Sequence, residues 1–317
     1  MIIMIDKYFK DNTFTKKVGL IFIILFVLVS LIYTTVYYKN LERKGNFNLY
    51  KDIPYADIKG YEITDTSLDI YTPKTQSLDK LPVMVFIHGG AWTKFFGSKN
   101  DRHRFLQKGV FLTNNNFILI NINYRLSPSV SFPEPVRDAS KAVKWVYDNI
   151  EDYGGDKNQI YLQGHSAGAQ IVSLLVTNEE FLEENYLGLE NIKAACLLEG
   201  VGYNLLVAKD QELDGKLIDF YYNMPFGDDN ALIKASSINY IIPNKNIPPI
   251  ILFAVEKSLF RIGKTEANEF YKKLIKNNYI SEYYVIPDKG HSSLNRDFGT
   301  KDDLTTKLTM DFIDRFK

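Results

Sequence analysis

The run Gly164-His165-Ser166-Ala167-Gly168 sets a serine between two glycines, with one residue on either side. A serine hydroxyl becomes a useful nucleophile when it is thrust into the open and a base can take its proton. The glycines suit the first need, because a strand-to-helix turn this sharp has no room for side chains at 164 and 168. Upstream, His88-Gly89-Gly90-Ala91-Trp92 closes a short apolar run. Small residues there let backbone N–H groups approach an oxyanion. Gly89 and Gly90, together with the N–H of Ala167, are the expected donors to a tetrahedral intermediate.

Four histidines could serve as the base. His165 adjoins Ser166, and neighbours on such a turn do not easily face each other. His88 belongs to the glycine loop, whose shape it would set. His103 falls in a charged segment. His291 follows the last strand, in Asp288-Lys289-Gly290-His291-Ser292, and stands after the serine in the chain order expected of this arrangement. It is the expected general base. The acid that orients it should follow a strand lying between serine and histidine. The apolar run 250–255 is such a strand, and Glu256 comes next. Glu256 is the expected acid, and Glu199, which ends the preceding strand, is its alternative. Glu266, Glu269 and Glu282 fall inside a helix or the next strand, and Asp288 is too close to His291.

These residues need a scaffold that delivers them to one edge. Short apolar runs at 83–87, 117–122, 160–162, 194–198 and 250–255 read as buried strands. Segment 61–71 reads as a hairpin-like pair and 282–286 as a further strand. Helical spacing of apolar residues marks 135–150, and 167–177, 264–276 and 302–316 are also expected to be helical. Strands alternating with helices predict an α/β fold, a mainly parallel sheet with helices on both faces. The long aromatic stretch 203–239 interrupts that rhythm and is a possible cap over the sheet's C-terminal edge.

The N-terminus reads differently. Residues 18–38 carry no charge, and about 20 apolar residues suffice to cross a bilayer core. Lysines at 16 and 17 precede the run, and Tyr33, Tyr37 and Tyr38 stand where an interfacial belt would lie. The run is longer than a signal-peptide core and ends without a small-x-small cleavage site, so an uncleaved anchor is expected. Lys7, Lys10, Lys16 and Lys17 favour a single-pass orientation with the N-terminus inside and the large domain outside the cytoplasm. The organisation is then a tail (1–17), a transmembrane anchor (18–38), a tether and start of the fold (39–60), and an α/β domain (61–317).

With 38 basic and 38 acidic side chains the formal net charge is zero, which argues against a broad basic surface for nucleic acid. A single cysteine, Cys196, excludes an internal disulfide and a Cys-based zinc site. No two histidines sit at HExxH spacing, so no metal is expected.

The motifs, in their order, resemble the α/β-hydrolase superfamily, specifically its HGG-loop esterase and lipase branch. That branch includes hormone-sensitive-lipase-like, prenylcysteine-methylesterase-like and arylformamidase-like enzymes. The likeness is carried by Leu68-Asp69-Ile70-Tyr71-Thr72-Pro73, the HGGAW loop, Asn123-Tyr124-Arg125-Leu126, Phe132-Pro133, Asp138 with Trp145, Tyr153-Gly154-Gly155-Asp156 and the GHSAG turn. It implies that Ser166 is the nucleophile, His291 the base, and Gly89, Gly90 and Ala167 the oxyanion hole. It also implies that Arg125 and Asp138 tie together the loops behind the site. Relatives commonly place an aspartate in a Gly-x-x-Asp pattern after the seventh strand. Here that stretch reads Val255-Glu256-Lys257-Ser258, with Ser258 at the aspartate's place.

The expected activity is hydrolysis of a small-molecule carboxylic ester through an acyl-enzyme, with no cofactor. An amidase or arylformamidase would use the same chemistry. A catalytically dead hydrolase fold acting as a binding module is the third possibility.

Overall fold

The structure, a computed structural model, describes Ile24 and residues 45–75, 78–96, 103–212, 219–256 and 263–317. The chain divides into Met1–Gly45 and Asn46–Lys317, and the second unit carries the sheet. The expected anchor at 18–38, apart from Ile24, lies outside the described residues. Among the described residues no helix is long and apolar enough to cross a membrane.

Eight strands form one sheet in the order β1-β2-β4-β3-β5-β6-β7-β8. They are β1 (Phe47–Pro54), β2 (Ser67–Pro73), β3 (Leu81–Ile87), β4 (Ile118–Ile122), β5 (Gly155–His165), β6 (Ile192–Leu198), β7 (Ile250–Val255) and β8 (Ser281–Ile286). The pairs β1–β2 and β2–β4 are antiparallel, and from β4 to β8 every pair is parallel. A parallel strand covered on both faces needs apolar residues on both. That is why β7 is the unbroken run Ile-Ile-Leu-Phe-Ala-Val and is buried throughout. The edge strand β1 instead alternates between partly buried and exposed residues over most of its length.

Helices link and cover the strands: α1 (His103–Asn114), α2 (Glu134–Asn149), α3 (Ala167–Thr177), α4 (Gly263–Lys276), α5 (His291–Arg296) and α6 (Leu304–Ile313). Helix α2 starts with proline in its first turn, where a missing N–H costs nothing. It buries Val136, Ala139, Val143 and Val146, the stripe its periodicity predicts. Every residue of α3 is buried, so the helix that follows the serine is anchored along its whole length. Truncating a core side chain such as Leu162, 0% exposed, to alanine would cost about 2–5 kcal/mol.

Two features differ from the sequence-based reading. The hairpin is not within 61–71: Ile63–Thr66 is a turn of 3-10 helix, and β2 pairs back onto β1, which begins within the stretch expected as a tether. Helix α1, which no expected element covered, begins at His103 within the charged segment and buries Phe105, Leu106 and Leu112 beyond it. Between β6 and β7 the described residues of 203–239 include the short helices Leu205–Glu212 and Asp229–Ala235.

Candidate active site

Strand β5 ends at His165 and α3 begins at Ala167, leaving Ser166 alone between them at φ 55° and ψ −123°. Such a backbone costs a non-glycine residue about 1–3 kcal/mol and persists only where surrounding structure imposes it. Here the Ser166 N–H donates to the Leu198 carbonyl at 3.0 Å, and the Ser166 carbonyl accepts from Ala169 N at 2.9 Å and Gln170 N at 3.2 Å. The flanking glycines leave the turn no slack. A β-carbon on Gly164 would lie 2.3 Å from the Gly168 carbonyl oxygen, and one on Gly168 would lie 2.1 Å from that of Ile87.

The loop after β3 runs alongside this turn. A β-carbon on Gly89 would sit 2.9 Å from the Ser166 β-carbon and 2.8 Å from the His165 carbonyl oxygen, so only hydrogen fits there. Gly90, Ala91 and Trp92 follow with φ of 128°, 51° and 58°. Three successive left-handed residues turn the backbone tightly, and Thr93 N closes the turn on the Gly90 carbonyl at 3.0 Å. The Trp92 indole N–H donates to Gln170 Oε1 at 2.9 Å, tying the loop to α3, and its ring meets Phe226 edge-on. His88 is buried and stacks on Tyr124 at 4.5 Å, whose hydroxyl donates to the His88 carbonyl at 2.8 Å. His88 Nδ1 lies 2.7 Å from the Gly89 carbonyl. Since a carbonyl can only accept, that nitrogen carries the hydrogen. The N–H of Ala167 stands in the first turn of α3, where a helix has no internal acceptor for it.

His291 opens α5, just beyond β8. Burial pushes its pKa down to about 4, so near neutral pH the imidazole is uncharged and able to accept a proton. Its carbonyl oxygen is 2.9 Å from His165 Nε2, and the two rings have centroids 4.7 Å apart. The close approach of Gly89 to Ser166, together with the His165–His291 bond, brings three of the expected loops to one edge of the sheet. That edge is the C-terminal end of the parallel strands, where α/β sheets bind ligands.

The acids are placed less simply. Glu256 is the first residue after β7, and its carboxylate, 62% exposed, takes the Lys264 ammonium at 2.9 Å. The structure does not bring that carboxylate to His291, because the side chain turns toward the start of α4. Glu199 is buried at the end of β6, with φ of 44°, and its Oε2 accepts from Val255 N at 2.7 Å. Glu266, read from the sequence only as a helical position, is buried and accepts from Gly202 N at 3.0 Å and Asn204 N at 2.9 Å. Ser258 lies outside the described residues. Arg125 and Asp138 form a buried pair: Nε and one terminal nitrogen each donate to the carboxylate at 2.7 Å. The Arg125 backbone N–H donates to the same carboxylate at 3.1 Å.

Sequence reasoning assigned no role to Tyr124, Gln170 or the His165 ring. Tyr124 stands within the run Asn123-Tyr124-Arg125-Leu126, but only the fold puts it against His88. Gln170 is the one amide in a helix whose other polar residues are the small Ser173 and Thr177, and that contrast was its available signal.

The fold, the strained serine turn and the glycine loop define an α/β-hydrolase of the HGG-loop carboxylesterase branch. The sequence profile of the BD-FAE family matches residues 68–274, well over half of the chain, and the chain belongs to that family. It is 32% identical over 213 residues to esterase LipQ of Mycobacterium tuberculosis, covering 65% of this chain and 48% of LipQ. To a probable isoprenylcysteine alpha-carbonyl methylesterase of Arabidopsis thaliana it is 32% identical over 203 residues, covering 59% of this chain and 40% of that protein. The chain thus spans less than half the length of either relative. The crystal structure of inhibited esterase B from Lactobacillus rhamnosis superposes with a TM-score of 0.71 at 18% identity, over 92% of this chain and 96% of that one.

Proposed function

We propose that the protein is a serine carboxylic-ester hydrolase. Ser166 Oγ attacks the ester carbonyl while His291 takes its proton. The N–H groups of Gly89, Gly90 and Ala167 receive the oxyanion, and His291 returns the proton to the leaving alcohol. Water, activated by the same histidine, then releases the acid from the acyl-enzyme. The orienting carboxylate is assigned to Glu199, buried after β6, since the Glu256 side chain after β7 turns to Lys264 instead. The segments of 203–239, through Phe226 against Trp92, serve as the cap.

The observation that carries this reading is the strained Ser166 held against Gly89. A serine at φ 55° whose β-carbon tolerates only a glycine opposite is arranged to present its hydroxyl to a loop of backbone donors. The names of the relatives, an esterase and a methylesterase, agree with an ester as the substrate. The test is release of p-nitrophenol from acetyl and butyryl esters, with a matched anilide alongside. Turnover of esters that is lost in Ser166→Ala supports the reading. Faster turnover of the anilide would make the protein an amidase. Equal ester turnover by wild type and Ser166→Ala would overturn the mechanism.

We also propose that residues 18–38 hold the protein in a membrane with the hydrolase domain outside the cytoplasm, on the strength of their uncharged, span-length run. Fractionation of the full chain checks it. Recovery of protein lacking residues 1–38 in the soluble or secreted fraction would show a cleaved leader instead.

A further inference from the structure

Lys108 is buried in the middle of α1, 1% exposed. Its Nζ donates to Gln163 Oε1 and, at 3.0 Å, to Asn295 Oδ1. It also lies 3.7 Å from the centroid of the Phe86 ring and 4.7 Å from that of Phe298. Its hydrogen-bond acceptors among the described residues are two amides. Burial pushes its pKa well below the usual lysine range, against the opposing pull of Cys196 and Asp303.

The two amides belong to the two halves of the site. Gln163 is on β5, three residues before Ser166, and it continues the polar chain by donating to Cys196 Sγ at 3.5 Å. Asn295 is on α5, one helical turn after His291 and therefore on the same helix face. A short helix of this kind can turn about its axis unless a side chain is held. The His291 carbonyl is held by His165, and the next turn is held through Asn295.

A buried amine between phenyl rings, without a carboxylate, is costly relative to an apolar side chain of the same length. Packing alone therefore gives no reason for a lysine here. We propose that Lys108 is a positioning residue that sets the distance and rotation of the His291 helix relative to the Ser166 strand. This rests on the assignment of Ser166 and His291 as nucleophile and base.

The test uses the full chain and p-nitrophenyl butyrate. Lys108→Met keeps the stem between the rings and removes both hydrogen bonds. The expected result is a kcat lowered about tenfold or more with KM nearly unchanged, since small misplacements of reacting groups are costly. The thermal midpoint should be equal or higher. Asn295→Leu should reproduce the loss of kcat, and Asn295→Asp, which keeps an oxygen for Nζ, should recover most of it. If Lys108→Met does not fold, the two Asn295 variants decide. The proposal is overturned if the Lys108→Met and Asn295→Leu variants retain wild-type kcat. It is overturned equally if Asn295→Asp is as impaired as Asn295→Leu, or if activity falls only in step with the melting point. Failure of the underlying assignment looks different: Ser166→Ala would then hydrolyse the ester as fast as wild type.

Discussion

His165 Nε2 donates to the carbonyl oxygen of His291 across 2.9 Å. The residue next to the proposed nucleophile is thereby bonded to the residue that carries the proposed base. Neighbouring positions on the turn cannot face each other, so His165 is poorly placed to take the Ser166 proton. It is well placed to hold the loop that carries the proposed base.

His165→Phe keeps a ring of similar size and removes that donor. Turnover of p-nitrophenyl butyrate is expected to fall about 10–100-fold, since a misplacement on the ångström scale has that size of effect. KM should change little. A variant with wild-type kcat would show that the bond is incidental.

The strain at Ser166 has a consequence for stability. Glycine adopts φ 55° without steric cost, so Ser166→Gly should abolish hydrolysis while raising stability by about 1 kcal/mol. Denaturant unfolding measures the second effect. A destabilised Ser166→Gly would mean that the hydroxyl, rather than the backbone, dominates the energetics of the turn.

Burial lowers His291 from 6.5 to about 4, and this bears on both activity and stability. A general base works in its deprotonated form, so kcat/KM should hold down to about pH 5 and fall below it. Between the two values the unfolded chain binds the proton more readily than the folded one. The contribution to stability is therefore complete above about pH 6.5 and lost as the pH falls toward 4. A pH–rate profile and melts across the same range check it. An acid limb near pH 6.5 would show that a carboxylate's support of the imidazolium offsets the effect of burial.

The two strand-end glutamates separate by environment. A carboxylate steadies an imidazolium more strongly when shielded from water. Glu199 is 1% exposed, whereas the Glu256 side chain is 62% exposed and neutralised by Lys264. Glu199→Gln should therefore lower kcat about 100-fold or more. Its melting point should hold, because glutamine can still accept from Val255 N. Glu256→Gln should stay close to wild type. The opposite pattern would assign the acid to the end of β7.

Replacing Asp138 by asparagine leaves the Arg125 guanidinium buried beside a neutral partner. A loss of about 3–5 kcal/mol of stability is expected, the usual cost of breaking a buried ion pair. Urea unfolding checks it, and a loss below 1 kcal/mol would assign the loop's rigidity to the Glu134 contact instead.

Whatever is local could be read from the order of the residues. The apolar runs that became β3, β4, β6 and β7 could be read because a strand buried on both faces must be apolar along its length. Gly164, Ser166 and Gly168 could be read because the geometry of one turn excludes side chains at two fixed offsets. The proposal of His291 among four histidines rested on chain order. The contacts between distant segments came from the fold alone. The pairing of β2 with β1 carries a register shift between Tyr50 and Ile53 and reaches back past a 3-10 turn. The charged start of α1 masked a helix whose buried positions lie further along. Two glutamates at equivalent strand ends have the same local sequence signature, and they differ only in what the neighbouring chain covers. Lys108 meets Gln163 and Asn295 across separations of 55 and 187 residues, which no periodicity encodes. Side-chain types and spacings report the conformation of a short stretch, whereas burial and hydrogen-bond partners are set by which stretches the fold brings together.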